Sequence, residues 1–165
     1  SPPKPSSAAS DVYKRQGLHR SPLLKGLKWG AALVGIVAGV VAIAVTLPFT
    51  RVFFRNDAYA SLRVALFAAL VVIPIKAVIP EELAFRGVLQ GSLTRLGGVR
   101  TALVGGAAFF GPRHVATSLG LTASSAGLGF TWLRHRTGSA VAPMGLHWAL
   151  NSAGTVAAAV NWGLE

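Results

Sequence analysis

Trp29 to Thr50 is a run of 22 residues without a charged side chain, closed by Lys28 on one side and Arg51 on the other. At ~1.5 Å of rise per residue, a helix of that length crosses the ~30 Å hydrocarbon core of a bilayer. In lipid the backbone must satisfy its own hydrogen bonds, so an isolated run of this kind is a helix. Trp29 and Phe49 fall near its two ends, where amphipathic aromatics sit at the membrane–water interface. A secretory signal peptide is the other reading of such a run. This one is longer than a signal's apolar region and lacks a clear cleavage site.

The rest of the chain has the same character. Of 165 residues, 52% are hydrophobic and 13% charged, about half the charged share of an ordinary soluble domain. Too few charges remain to solvate a surface, and too much apolar surface exists for a disordered chain. The composition is that of an integral membrane protein of one domain, with the lipid bilayer as its first partner. Sixteen Lys and Arg against five Asp and Glu give a net charge of +11. The basic residues do not form the stripe that nucleic acid requires. They stand at the ends of apolar runs, as Lys25 with Lys28, Arg51 with Arg55, Arg95 with Arg100 and Arg134 with Arg136, where loop charges set membrane orientation. With no cysteine, disulfides, thiolate catalysis and Cys-ligated metals are excluded.

Residues 1–16 are polar and rich in Pro and Ser. The stretch Asp11-Val12-Tyr13-Lys14-Arg15-Gln16 is similar to the translation of a sequencing-library adaptor, which places 1–16 outside the fold as an artefactual or disordered tail; if artefactual, upstream helices could be lost. Residues 17–63 read as a transmembrane helix and a loop, and 64–160 as the main domain. Helices are expected over 29–50, 58–75 and 77–94, with a boundary at Pro74–Lys76 and a break at Gly97–Gly98. A fourth begins at Thr101, where Gly105-Gly106 and Ala107-Ala108 permit close helix contact. Gly120 and Ser124-Ser125 suggest a turn before a fifth, and a sixth spans 139–160. The expected fold is all-α, a polytopic membrane bundle of about six helices. That count puts the loops Arg51–Arg63, Arg95–Arg100 and Arg134–Arg136 on one side, the better cytoplasmic candidate. No internal repeat appears, which speaks against a small transporter.

After residue 16 only Asp57, Glu81, Glu82 and Glu165 are acidic, and only Glu81 and Glu82 lie within an apolar stretch. An ionisable group in a membrane segment costs several kcal/mol and marks function by default. Glu82 and Arg86 are spaced i, i+4, as an ion pair along a helix requires, and such a pair can simply neutralise itself. It does not account for Glu81, which points about 100° away. His114 ends the fourth apolar stretch, while His147 and Asn151 lie one turn apart on the last. Each histidine taken alone can be no more than a helix–helix hydrogen bond. Together, one carboxylate, two imidazoles and an amide make a hydrolytic set, with a base for water and donors for an oxyanion. A zinc site with His114, His147 and Glu81 as ligands uses the same residues, without His-Glu-x-x-His spacing to support it. No Gly-x-Ser-x-Gly elbow is present.

This pattern resembles the CAAX prenyl protease and bacteriocin-processing family, also called the Abi group of intramembrane proteases. Its Glu-Glu-x-x-x-Arg motif matches Glu81, Glu82 and Arg86. Its aromatic-x-x-x-His motif matches Phe110 and His114, and its His-x-x-x-Asn motif matches His147 and Asn151. The resemblance covers about Val64 to Val160, with Pro112 and Arg113 as departures from the second motif. It implies that Glu81 is the general base on water, that His114 positions the water, and that His147 and Asn151 bind the carbonyl oxygen. Glu82, Arg86 and Phe110 would support the site, with no metal or other cofactor required. The substrate would be a membrane-associated peptide or protein: a prenylated C-terminus, a bacteriocin leader or another tethered peptide. The abundance of Ala, Gly, Val and Arg points to a GC-rich bacterial genome, hence to a bacterial cytoplasmic membrane. The competing expectation is a non-catalytic immunity or scaffolding protein of the same fold.

Overall fold

A computed structural model describes residues 18–110 and 120–164. The tail 1–16 and His114 lie outside them. The described residues are helical, with no strand among them, and form four helical stretches. The chain divides into two compact units, Ser1–Trp29 with Glu81–Pro143 and Gly30–Pro80 with Met144–Glu165.

Helix α1 is Arg20–Thr46. It starts earlier than the charge-free run and stops sooner, because Pro48 disfavours helical backbone at Leu47. The carbonyls left over are taken by hydroxyls: Thr46 Oγ1 donates to Ile43 O at 2.7 Å, and Thr50 Oγ1 donates to the carbonyls of Ala44 and Leu47. Two short 3₁₀ turns, Arg51–Phe54 and Asp57–Tyr59, lead to the next helix.

Helix α2 begins at Leu62–Phe67 and continues without a turn to Gln90–Phe110. The expected boundary at Pro74–Lys76 is therefore absent, and with the Gly97–Gly98 bend counted inside α2 the described residues hold four helical stretches instead of about six. The physical reason is a change of register. A proline ring collides with the carbonyl four residues back, and α2 widens into π-helical turns over Ala68–Val72, Pro74–Val78 and Leu83–Leu89. In the wider turn Ile73 N–H bonds Ala68 O and Ile79 N–H bonds Pro74 O, both i to i+5. The glycine break does occur: α2 bends at Gly97–Gly98, with Gly98 at φ 76°, a conformation that favours glycine.

Helix α3 is Gly120–Thr137 and runs through Ser124 and Ser125, where a turn was expected. Serine costs a helix only some tenths of a kcal/mol, too little to end one held by its neighbours. The helix ends at Gly138, whose φ of 72° lets its N–H reach Arg134 O at 2.9 Å. Ser139 Oγ then accepts from Val141 N–H, and helix α4 follows at Val141–Trp162.

What is buried is small. In the unit that contains α4 the buried apolar residues include Ala65, Ala68, Ala69, Ala149, Ala157, Ala158 and Ala159. Gly145 meets the Gly30 backbone so closely that a Cβ would lie 2.8 Å from Gly30 Cα. Ile36, Val40, Ile43, Phe67, Leu70 and Ile75 point outward instead. Small residues between helices and large apolar ones outside is the arrangement lipid favours. Two stretches, Arg20–Thr46 and Leu62–Ala108, are long and apolar enough to cross a membrane.

Candidate active site

Glu82, Arg86 and Gln90 recur every four residues on α2 and are 0%, 1% and 7% exposed. Because α turns advance residues i and i+4 slightly past one full rotation and π turns fall short of one, the mixture keeps the three in line. Arg86 Nε lies 3.3 Å from Glu82 Oε2. Its Nη2 donates to Gly127 O at 3.5 Å, and the guanidinium stacks on the Phe130 ring at 5.1 Å and the Phe85 ring at 5.7 Å. Gln90 Nε2 donates to Thr131 O at 3.0 Å. Thr131 Oγ1 donates back to Gly127 O at 2.8 Å, and a Cβ on Gly106 would lie 2.8 Å from Thr131 Oγ1. One turn of α3, Gly127–Thr131, therefore receives Arg86 and Gln90 from α2, with Glu82 held through Arg86. Removing two charges from water is expensive, and only close pairing, further hydrogen bonds and ring faces make it tolerable.

Glu81 precedes this row by one residue, so its side chain leaves α2 about 100° away. It is half-buried, unlike the fully buried Glu82. The π-helical segment Leu83–Leu89 starts directly after the two glutamates and contains Arg86. Such segments widen the backbone at functional positions more often than elsewhere.

His147 and Asn151 stand one turn apart on α4. His147 is 4% exposed, whereas Asn151 is exposed and its carbonyl accepts from Thr155 Oγ1 at 2.8 Å. Two neighbours that the sequence reading passed over do something definite. Trp148 Nε1 donates to Ala69 O at 2.7 Å and Ser152 Oγ to the same atom at 3.1 Å. In the π register that carbonyl's backbone partner would be residue 74, a proline without an N–H. The two side chains supply the missing donors. Beside them lies an apolar cavity of about 480 Å³, lined in part by Val41, Leu66, Leu70 and Val156.

Gln90, Thr131, Trp148 and Ser152 are thus the polar residues the motifs omit. Gln90 was within reach of the sequence, one further i+4 step beyond Glu82 and Arg86. Phe110 closes α2, but its side chain and His114 fall outside what is described. Among the described residues no three His, Asp or Glu side chains gather as metal ligands. The zinc alternative includes His114 and so lies outside them. At the far end of α3, outside both candidate spans, burial pulls the Arg134 pKa below its ordinary value.

The profile of the type II CAAX prenyl endopeptidase Rce1-like family matches residues 61–153, more than half of the chain. The chain belongs to this family. The match runs from just before α2 into the middle of α4, and Glu81, Glu82, Arg86, Phe110, His114, His147 and Asn151 all fall within it. The Rce1-like family is one of membrane proteases, and the two long apolar stretches agree with that setting. No curated protein and no solved structure matches the chain.

Proposed function

We propose that this protein is an intramembrane endopeptidase of the glutamate type. Glu81 takes a proton from a water molecule as the water oxygen attacks the scissile carbonyl. His114 holds that water, and His147 with Asn151 donate hydrogen bonds to the oxyanion. The C–N bond then breaks and the proton held by Glu81 passes to the leaving amine. The reaction balances without a metal. The substrate is a peptide tethered in the membrane, and the apolar cavity beside Trp148 and Ser152 suits a lipid tail. The membrane is that of a bacterial cell.

The observation that carries this reading is the buried row on α2. Arg86 and Gln90 fasten the helix to α3, Glu82 pairs with Arg86, and Glu81 stands next to them on the adjoining, half-buried face. A helix fixed in rotation gives a general base a fixed direction. The test is cleavage of a lipid-tethered peptide by the purified chain in proteoliposomes. Glu81→Gln keeps the size and hydrogen bonding of the side chain but cannot accept the proton, and lowers turnover by roughly 10²-fold or more. Asn151→Ala slows it by about 2–4 kcal/mol of barrier. No cleavage by wild type, with an unchanged cellular phenotype for Glu81→Gln, would favour the immunity or scaffolding reading instead.

A further inference from the structure

Within the unit that holds α3, a second cavity of about 320 Å³ is lined by Arg86, Gln90, Thr94, Arg95, Arg134 and His135. Its character is opposite to that of the apolar cavity. Three guanidiniums and an imidazole surround it, and among the described residues no carboxylate lines it. Glu82, the partner of Arg86, sits behind it at 0% exposure. Cations at the last turn of α3 are favoured by the helix dipole alone. That explains Arg134 and His135, and Glu82 accounts for Arg86, but neither explains the exposed Arg95 on α2. Two helices bring positive charge and an amide donor to one hollow, which is the composition of an anion site.

The depth of this cavity is marked by tryptophan. Trp29 and Trp132 meet edge to face with ring centroids 6.4 Å apart, and both remain partly exposed. Indole rings with one apolar and one polar edge settle at the headgroup level. Lys28 adjoins Trp29, Arg134 follows Trp132 by two residues, and Lys25 Nζ donates to Arg136 O at 3.0 Å. The cavity therefore lies at the level of headgroups and within a basic rim.

We propose that the cavity between α2 and α3 binds the phosphate of an anionic membrane lipid. The guanidiniums of Arg95 and Arg134 take the phosphate oxygens in charge-assisted hydrogen bonds, with the second Nε2 hydrogen of Gln90 as a neutral donor. The headgroup also offsets the desolvation of Arg134. This site is independent of the proteolytic reading, since neither Glu81, His147 nor Asn151 lines it.

The test uses the full chain taken from vesicles of phosphatidylcholine with or without phosphatidylglycerol, and counts retained lipids by native mass spectrometry. Phosphatidylglycerol is retained in preference to phosphatidylcholine. Arg95→Gln and Arg134→Gln each weaken that retention roughly fivefold. Arg100→Gln removes the same charge from a position outside the cavity and leaves retention unchanged. Arg95 is exposed, so its variant folds even where the half-buried Arg134 variant does not. Equal retention of both lipids, or an equal loss with Arg100→Gln, overturns the proposal. Displacement of the lipid by inorganic phosphate would assign the cavity to the free ion. Displacement by a peptide with a free C-terminal carboxylate, but not by its amide, would assign it to substrate.

Discussion

Arg86 survives in a helix made for lipid because each part of its guanidinium has somewhere to go: a carboxylate along its own helix, a carbonyl on α3, and two aromatic faces. Breaking such a pair by removing one partner leaves a bare buried charge, which costs about 3–5 kcal/mol. Glu82→Gln should lose that much in reversible unfolding from detergent. The double variant Glu82→Gln with Arg86→Met should lose less than the sum of the single changes. Simple additivity would mean that the two side chains do not depend on each other. Glu82 and Arg86 were legible in the sequence because charge in an apolar run stands out and the i+4 spacing is a local signal. Gln90 has no charge to betray it, and its role depends on a carbonyl 41 residues away. Metal dependence turns on a different set, Glu81, His114 and His147. A carboxylate acting on free water needs no Lewis acid, so activity should persist after exhaustive chelation. Loss on chelation with recovery on adding zinc would instead make Glu81, His114 and His147 ligands.

At the scale of elements, α2 shows how a helix can contain prolines and still pass through them. Pro74 reads as a boundary in a linear sequence, since proline ends most helices, while Pro80 falls inside the helix expected over 77–94. The π-helical turns around them move the clashing carbonyls aside, and α4 satisfies the carbonyl of Ala69 with Trp148 and Ser152. No pattern within α2 announces that help, which comes from 79 and 83 residues further along the chain. Its consequence is a rescue. Ser152→Ala alone should cost about 1 kcal/mol, because Trp148 still donates. Ser152→Ala with Trp148→Phe leaves the carbonyl unpaired in an apolar setting and should cost more than the two single changes together. Adding Pro74→Ala restores a backbone N–H and should recover part of the loss; an additive triple variant in thermal unfolding would disprove this account. Close helix contact has its own signature at Gly145. A methyl there meets the Gly30 backbone at 2.8 Å, and Gly145→Ala should destabilise by about 1–3 kcal/mol.

For the whole molecule, class was easier to read than topology. Fifty-two per cent apolar and 13% charged residues state the solvent before any helix is drawn. Counting helices requires knowing where the chain turns, and no turn occurs at Pro74–Lys76. What composition implies, the packing makes specific: in the unit that contains most of α4, alanine dominates the buried apolar residues and many large apolar side chains face out, while in the other unit Phe130 and Leu133 are buried. On α1 the outward residues Ile36, Val40 and Ile43 are 60%, 61% and 65% exposed, recurring at the helical interval. In water such a row would be a liability, whereas in a bilayer it is the contact surface. Charge at its middle must then be costly and charge at its end cheap. Val40→Lys should cost about 2.5–3.5 kcal/mol on insertion and shift the protein out of the fraction that resists alkaline extraction. Leu24→Lys, near the N-terminal end of α1 and beside Lys25, can extend its ammonium toward headgroups and should insert as wild type does. If both variants stay equally membrane-bound, α1 does not cross the bilayer. If Val40→Lys yields a monodisperse protein without detergent, the outward apolar face belongs to a soluble fold.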